Sequence, residues 1–503
     1  PWLAQTGLVV RAYQSKIDGS IQPYGLVVPA NFVPNGPLMR MDFWAHGRGE
    51  KLTELSFLDQ RHKSPGQFTP PGALVLHLYG RYCCANKLAG EVDLFEALAH
   101  AKKYYPIDDR RLVVRGFSMG GAACWQFAVH YPGVWAAAAP GAGFSETPEF
   151  LKVFQKEDVK PTWFERKLWH MYDCTDYAVN LFNLPTVAYS GEADRQKQAA
   201  DVMAKAAAAE GLQLTHILGP LYDPNTAHRY HADSIVEINR RIDGIVALGK
   251  DPAPDAVKFT TWTLRYNQSH WVRLDGLEEH WNRARVDATQ VFAENLVRVK
   301  TANVSAFSLI FPAGSCKLLQ GSAPKVLVDN QKLDAPPLET DRSWTAHFRK
   351  LAGKWALAAV SDDVSLRKRH GLQGPIDDAF LDSFLMVRPT GAPLNDRVGK
   401  WADTEMKHAV EHWRRQYRGD ARVKDDLTIT DADIAQHNLV LWGDPASNKF
   451  LARVLDRLPV RWDAQQVRIG AVGYPATHHV PVLIFPNPLN PKKYVVLNSG
   501  FTF

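Results

Sequence analysis

The sequence lacks long hydrophobic runs and blocks of like charge. No apolar stretch in its 503 residues approaches the length of about 20 residues that a membrane-spanning helix needs. The formal net charge is +6, and the charged residues are spread along the chain. We therefore expect no membrane span and no nucleic-acid partner, because the latter requires a clustered basic surface.

Cysteine is also scarce, and the five residues are Cys83, Cys84, Cys124, Cys174 and Cys316. Their number is odd, and no two of them have the spacing of a metal-binding or redox motif. Two alternatives stay open: one disulfide that joins Cys83 or Cys84 to Cys174, or small buried thiols. The C-terminal half contains the adjacent His478 and His479 and several aspartates, and these also lack the spacing of metal ligands. The aspartates are Asp377, Asp378, Asp425, Asp426, Asp431 and Asp433. We therefore expect no metal ion and no cofactor.

The chain begins at Pro1 rather than at methionine. A cleaved signal peptide is one explanation of this start, and a trimmed sequence is another. The first explanation leads us to expect a secreted or periplasmic bacterial protein.

The domain organisation follows from a change of pattern along the chain. Apolar segments alternate with helical patterns over residues 1–250, which predicts an α/β fold with a mostly parallel, eight-stranded sheet. Within it, the aromatic-rich stretch 144–184 is either a lid or a helical segment that serves the core. A Pro-rich linker at 251–255 leads to period-two patterns over 256–365, which predict a β-sandwich-like module. Residues 366–503 predict a smaller α/β region.

A G-x-S-x-G motif is centred on Ser118. The apolar residues 112–114 before it predict a strand, and residues 122–130 after it predict a helix. Strand, G-x-S-x-G and helix together are typical of a nucleophile elbow, a sharp turn that lifts the serine hydroxyl above the end of a sheet. We expect Ser118 to act as a nucleophile; the alternative is a glycine-rich turn with an idle serine.

A serine hydroxyl needs a base that takes its proton. In a sheet of this kind the acid and then the base follow on loops after later strands. The loop after the seventh predicted strand contains Asp194 and Glu192, and the loop after the eighth contains His228 and His231. We assign Asp194 as the acid and His228 as the base, with Glu192 and His231 as their rivals.

Acyl transfer also needs N–H donors for the oxyanion that develops on the substrate. One donor is expected to be the backbone N–H of Met119, directly after the nucleophile. The other should come from the loop after the third strand, where the N–H of Gly47 or Arg48 is available. His46 in the same loop is interpreted as a structural hydrogen-bonding residue.

Residues 23–250 resemble the α/β-hydrolase superfamily of esterases and prolyl-oligopeptidase-like serine hydrolases. The resemblance rests on the loop of His46 and Gly47, the elbow around Ser118, and the loops of Asp194 and His228. Within the superfamily, the S-M-G-G elbow is similar to that of feruloyl-esterase and polyhydroxyalkanoate-depolymerase-like carboxylesterases. The resemblance implies an α/β-hydrolase fold and a Ser–His–Asp triad.

The expected function is therefore that of a serine carboxylesterase. The resemblance implies a small-molecule or polysaccharide-linked ester as substrate, and the aromatic stretch favours an aromatic acyl group. Prolyl oligopeptidases have a large propeller before the hydrolase domain, whereas only residues 1–45 precede the oxyanion loop here. A prolyl-oligopeptidase-like peptidase is thus the second expectation, and a carbohydrate-binding protein with a degenerate hydrolase domain is the third. The C-terminal half should contact the catalytic domain without supplying a triad residue.

Overall fold

The computed structural model describes residues 2–221, 227–359 and 365–502. The chain divides into two compact units. The first consists of residues 1–11, 24–79 and 100–363, and the second of residues 12–23, 80–99 and 364–503. The predicted boundary between 365 and 366 lies beside residues 360–364, which are outside the described residues.

Eight strands in the N-terminal half form one sheet: β1 (Gly7–Gln14), β2 (Ile21–Val28), β3 (Met39–Ala45), β4 (Leu74–Leu78), β5 (Ile107–Phe117), β6 (Ala137–Gly141), β7 (Val187–Gly191) and β8 (Thr215–Gly219). Their order is β1-β2-β4-β3-β5-β6-β7-β8. β2 is antiparallel to β4, whereas each strand from β4 across to β8 is parallel to its neighbour.

Parallel neighbours need long crossover connections, which helices usually supply. The helices of this half are α1 (Glu54–Lys63), α2 (Ala89–Ala101), α3 (Met119–His130), α4 (Pro148–Phe150), α5 (Trp163–Trp169), α6 (Lys197–Ala209) and α7 (Ala232–Leu248). β4 and β6 are buried along their whole length, as expected for a parallel sheet that is covered on both faces. The predicted α/β fold is confirmed.

The aromatic-rich stretch 144–184 has two different environments. In α5 no side chain is buried, and Trp163 is 69% exposed. The helical segment Cys174–Asn183 is instead partly buried, and the side-chain amide of Asn180 donates to the carbonyls of Val129 (2.7 Å) and Thr260 (3.0 Å). This segment therefore takes the core role that the sequence left open, and a lid remains a prediction for α5.

The middle of the chain is a β-sandwich, as predicted. Its strands are β9 (Ala256–Thr261), β10 (Gln268–Ser269), β11 (Val272–Leu277), β12 (Ala284–Val291), β13 (Leu296–Ala302), β14 (Val304–Phe311), β15 (Lys325–Val328), β16 (Gln331–Asp334), β17 (Trp344–Leu351) and β18 (Lys354–Ala358). They form two sheets of five, β10-β11-β14-β17-β18 and β16-β15-β13-β12-β9. Alternate side chains fill one core, which includes the buried Trp271, Phe307 and Trp344.

The C-terminal region is α/β, again as predicted. Its elements are β19 (Phe384–Arg388), α8 (Asp396–Tyr417), β20 (Val423–Asp425), α9 (Asp431–Gln436), β21 (Asn438–Leu441), α10 (Lys449–Val454), β22 (Arg461–Trp462), β23 (Gln466–Ile469), β24 (Val472–Pro475), β25 (Leu483–Asn487) and β26 (Asn490–Leu497). The main sheet has the order β20-β19-β21-β26-β25. Only β25 is antiparallel to its neighbour among the pairs described in this sheet.

Residues 12–23 and 80–99 come from the catalytic half of the sequence but pack with the C-terminal region in the second unit. The buried guanidinium of Arg81 donates to the carboxylate of Asp18 at 2.8 Å. The indole N–H of Trp413 in α8 donates to the same carboxylate at 2.9 Å. The hydroxyl of Ser20 also donates to it at 2.6 Å. Because this charge is buried, these partners are needed to satisfy it.

Two expectations from composition concern membranes and thiols. In the part of the chain that the structure describes, every helix is too short or too polar to cross a membrane. The five cysteines, all within the described ranges, are not joined in disulfides; Cys83 is half-buried and the other four are buried. The buried-thiol alternative therefore describes four of the five.

Candidate active site

The turn at Ser118 has the geometry of a nucleophile elbow. β5 ends directly before Ser118 and α3 begins directly after it. The backbone of Ser118 has φ 59° and ψ −122°, a sparsely populated conformation that is found at strained functional turns. A Cβ added to Gly120 would lie 2.0 Å from the carbonyl oxygen of Ala45, and one added to Gly116 would lie 2.1 Å from that of Gly120. The turn therefore requires glycine at both flanking positions of the motif.

The structure brings Ser118, His228 and Asp194 together in one hydrogen-bonded line. The Nε2 of His228 lies 3.0 Å from the Oγ of Ser118, and its Nδ1 lies 2.8 Å from the Oδ2 of Asp194. The other carboxylate oxygen of Asp194 accepts the N–H of Gln196 at 2.8 Å. A carboxylate that accepts Nδ1–H leaves Nε2 as the acceptor in a neutral imidazole. The line can therefore move a proton from the serine hydroxyl to the histidine.

The burial of the two partners differs. The side chain of Asp194 is 4% exposed, whereas that of His228 is 45% exposed. The ring of Phe117 lies against the imidazole of His228, with 5.0 Å between the ring centroids. The carboxylate of Asp194 is thus shielded from water while the imidazole of His228 is accessible.

The rival residues are placed elsewhere. The backbone N–H of Glu192 donates to the carbonyl of Gly219 at 2.9 Å, and its side chain is exposed. The Nδ1 of His231 lies 4.0 Å from a carboxylate oxygen of Asp233. The histidine within hydrogen-bond distance of the Ser118 hydroxyl is therefore His228.

The predicted oxyanion loop lies beside the nucleophile. A Cβ added to Gly47 would be 3.7 Å from the Cβ of Ser118, so the backbone at Gly47 passes next to the serine. Met119 is the first residue of α3, where N–H groups have no partner within the helix. The guanidinium of Arg48 forms an ion pair with Glu50. The roles of these N–H groups stay a prediction.

His46 is held between two backbone carbonyls. Its ring nitrogens lie 2.7 Å from the oxygen of Gly47 and 2.9 Å from that of Tyr79. The ring therefore joins the loop after β3 to the end of β4, in keeping with a structural role.

A row of half-buried phenylalanine rings runs from the elbow to the loop of Asp194. A Cβ added to Gly143 would lie 2.4 Å from the backbone N of Ala122, so the chain that leads to the row crosses the first turn of α3. The centroid of Phe150 lies 4.4 Å from that of Phe144 and 5.4 Å from that of Phe154. At the far end, Arg195 stands 5.6 Å from the ring of Phe154 and donates to the carbonyl of Val153.

These phenylalanines belong to the aromatic-rich stretch 144–184, and the sequence alone did not connect that stretch with Arg195. The sequence did place Arg195 next to the site, because it directly follows the assigned acid Asp194. Their proximity could not be read from spacing, since about forty residues separate the two segments. Elsewhere in the described ranges, no cluster of three or more His, Cys, Asp or Glu side chains could hold a metal ion.

An eight-stranded, mostly parallel sheet with a serine elbow after β5 defines the α/β-hydrolase fold. The chain has this fold. Residues 85–242 match the sequence model of the prolyl oligopeptidase family, and this stretch includes Ser118, Asp194 and His228. No curated protein sequence matches the chain.

Solved structures of both esterases and peptidases are similar to part of the chain. A thermostable esterase is 17% identical over 48% of this chain and 63% of its own, with a TM-score of 0.35. A ferulic acid esterase is 15% identical over 49% of this chain and 100% of its own, with a TM-score of 0.34. A puromycin-hydrolyzing peptidase of Mycobacterium tuberculosis is 19% identical over 47% of this chain and 38% of its own, with a TM-score of 0.36. These likenesses do not decide between ester and peptide substrates.

Proposed function

We propose that the protein hydrolyses carboxylic esters through a Ser118–His228–Asp194 triad and an acyl-enzyme. The observation that carries the proposal is the hydrogen-bonded line from the Ser118 hydroxyl through both nitrogens of His228 to the buried Asp194. Nucleophile, base and orienting carboxylate are the three groups that acyl transfer by serine requires.

In the first half-reaction the Oγ of Ser118 attacks the ester carbonyl carbon, and the Nε2 of His228 takes the hydroxyl proton. The developing oxyanion is stabilised by the N–H of Met119 and by that of Gly47 or Arg48. His228 then donates its proton to the departing alkoxide, which leaves as an alcohol. In the second half-reaction water attacks the acyl-enzyme and His228 takes a proton from it. His228 then returns this proton to the Oγ of Ser118 as the bond to the acyl carbon breaks, and the free acid leaves.

The row of Phe144, Phe150 and Phe154 supports an aromatic or other large apolar group on the substrate. Flat aromatic groups stack favourably on such rings. The guanidinium of Arg195 at the end of the row is a hydrogen-bond donor only, so it can donate to polar substituents of the substrate. A hydroxycinnamoyl ester, free or linked to a carbohydrate, has both features. We therefore propose feruloyl-type esters as the substrate class.

A serine peptidase related to the prolyl oligopeptidases is the second candidate, and the family match over residues 85–242 favours it. The same triad serves both reactions, which differ in whether His228 protonates an alkoxide or an amine. A panel of feruloyl, acetyl and p-nitrophenyl esters, compared with proline-containing peptides, separates the two candidates by kcat/KM. Higher kcat/KM for the peptides would overturn the ester proposal.

The triad itself is tested with Ser118→Ala. We expect this variant to lose turnover of every ester and all labelling by a fluorophosphonate, because the proposed acyl-enzyme forms on the Oγ of Ser118. Ser190→Ala is a matched control, since the buried hydroxyl of Ser190 also contacts a histidine nitrogen, the Nε2 of His216, at 2.5 Å. Retained turnover in folded Ser118→Ala would overturn the triad. A wild-type chain that neither hydrolyses esters nor is labelled would favour a carbohydrate-binding protein with a degenerate hydrolase domain.

A further inference from the structure

The hydroxyl of Tyr189 contacts the backbone on both sides of Tyr230. It donates to the carbonyl of Arg229 at 2.9 Å and accepts the N–H of His231 at 2.9 Å. These two hydrogen bonds hold the peptide groups on either side of Tyr230, two residues after His228. Both polar capacities of one buried hydroxyl are thus used on the loop that carries the imidazole.

The same tyrosine belongs to the strand that leads to Asp194. Tyr189 lies on β7, which ends at Gly191, and the N–H of Asp194 donates to the carbonyl of Gly191 at 3.0 Å. The loops of the acid and the base are therefore joined through one side chain. This connection limits how far apart the loops of Asp194 and His228 can move.

The surroundings of Tyr189 are shaped for its hydroxyl. Its ring stacks on that of Tyr230, with centroids 4.5 Å apart, and Tyr230 in turn contacts Phe117 at 4.8 Å. A Cβ added to Gly219 would lie 2.4 Å from the Tyr189 hydroxyl oxygen. The end of β8 therefore has room for this hydroxyl only because position 219 is glycine.

We propose that Tyr189 is a positioning residue for His228, an inference that rests on the proposed function of the triad. The imidazole is nearly half exposed, so neighbouring side chains constrain it only in part. By holding residues 229–231 against β7, the Tyr189 hydroxyl keeps the Nε2 within reach of Ser118 while the Nδ1 stays on Asp194. A displacement of about 1 Å at such a group costs about 100-fold in rate.

The first test is Tyr189→Phe in the full-length chain, which removes the hydroxyl and keeps the ring. We expect kcat for ester hydrolysis and the rate of fluorophosphonate labelling to fall together by about 10- to 100-fold, with KM nearly unchanged. Tyr177→Phe is the matched control, because Tyr177 is also buried and its hydroxyl donates to a backbone carbonyl, that of His170, at 2.7 Å. The control should keep the wild-type kcat.

A double-mutant cycle with Gly219→Ala tests the same contact from the other side. Alone, this substitution should push the hydroxyl from its place and lower kcat as Tyr189→Phe does. In the Tyr189→Phe background the obstructing oxygen is gone, so the added methyl group should lower kcat no further. Additive losses would overturn the proposal.

The nuclear magnetic resonance signal of the His228 ring N–H that faces Asp194 gives a readout without substrate. His228→Ala identifies the signal by its disappearance. We expect Tyr189→Phe to broaden or remove it by faster exchange with water, whereas Tyr177→Phe should not. An unchanged signal and unchanged kcat in Tyr189→Phe would overturn the inference, whereas turnover by Ser118→Ala would instead overturn the proposed function.

Discussion

At the residue scale, Ser118 has a backbone conformation that L-amino acids rarely adopt. Such strain costs on the order of 1–3 kcal/mol and persists only where the surroundings impose it. Here the N–H of Ser118 donates to the carbonyl of Gly141 at 2.9 Å, while Gly120 packs directly against the end of β3. The strain is retained because neighbouring backbone fixes both sides of the turn.

The assignment of the acid leads to a prediction for two carboxylates on one loop. Asp194→Asn should lower kcat by about 10⁴-fold, because asparagine does not hold the imidazole in the tautomer that accepts the serine proton. Glu192→Gln should leave kcat close to the wild-type value, since the Glu192 side chain is exposed. Steady-state kinetics on a p-nitrophenyl ester measures both, with thermal unfolding as the control for folding. The opposite order of effects would contradict the assignment.

At the scale of elements, α1 is held to β4 by two buried basic side chains. The guanidinium of Arg61 donates to the Nδ1 of His77 at 2.8 Å, and the Nε2–H of His77 donates to the carbonyl of Pro65 at 3.0 Å. Burial, and then the charge of Arg61, lowers the pKa of His77 to about 3. The folded chain therefore keeps this imidazole neutral at pH values where an unfolded histidine is charged.

This difference in pKa predicts a loss of stability in acid. The unfolded pKa is near 6.5, so the contribution of His77 is complete above pH 6.5 and is lost as the pH falls from 6.5 towards 3. By pH 4.5 the free energy of unfolding should have fallen by about 3 kcal/mol from this group. His77→Gln keeps an acceptor and a donor but cannot be protonated, so its stability should depend less on pH.

Urea unfolding of both chains between about pH 7.5 and pH 4.5 measures the effect. His270, whose pKa burial lowers to about 4, contributes equally to both chains and cancels in the comparison. Parallel curves for the wild type and His77→Gln would contradict the prediction.

At the scale of the whole molecule, the first unit joins the α/β sheet to the β-sandwich through polar and aromatic contacts. The carboxylate of Glu210, after α6, accepts from Arg283 at 2.5 Å and from Arg285 at 2.6 Å. The rings of His170 and Trp262 are stacked at 3.7 Å. The expected contact of the C-terminal half with the catalytic domain is thus present for the sandwich.

Asn180 should contribute most of the polar stability of this junction. The hydrogen bonds of its side-chain amide to the backbone of Val129 and Thr260 are buried. Asn180→Ala therefore leaves backbone groups without partners and should lower the free energy of unfolding by about 3 kcal/mol. Asn183→Ala is the matched control: this side chain bonds to Ala256 and Lys258 but is only half-buried. Water can replace it, so we expect a loss of about 1 kcal/mol. Equal losses in denaturant unfolding would show that the junction is not buried in solution.

The sequence alone predicted the features that depend on neighbouring residues. The strand pattern before Ser118 and the helix pattern after it correspond to β5 and α3, and the glycines of G-x-S-x-G marked the turn. A local pattern predicts less where a side chain competes with the backbone: within the period-two patterns of 256–365, β9 ends at Thr261. There the hydroxyl of Thr261 accepts the N–H of Thr263 and donates to its carbonyl, which turns the chain.

Only the tertiary structure decided which distant groups meet. Asp194 and Glu192 share a loop, as do His228 and His231, and no local pattern shows which of each pair faces Ser118. That choice depends on the register of β5, β7 and β8 and on two loops whose residues Asp194 and His228 lie 76 and 110 residues after Ser118. The packing of residues 12–23 and 80–99 with the C-terminal region is likewise non-local. The buried carboxylate of Asp18 meets Arg81 and Trp413 only when three distant segments come together. Their hydrogen bonds become stronger once the fold removes water from them.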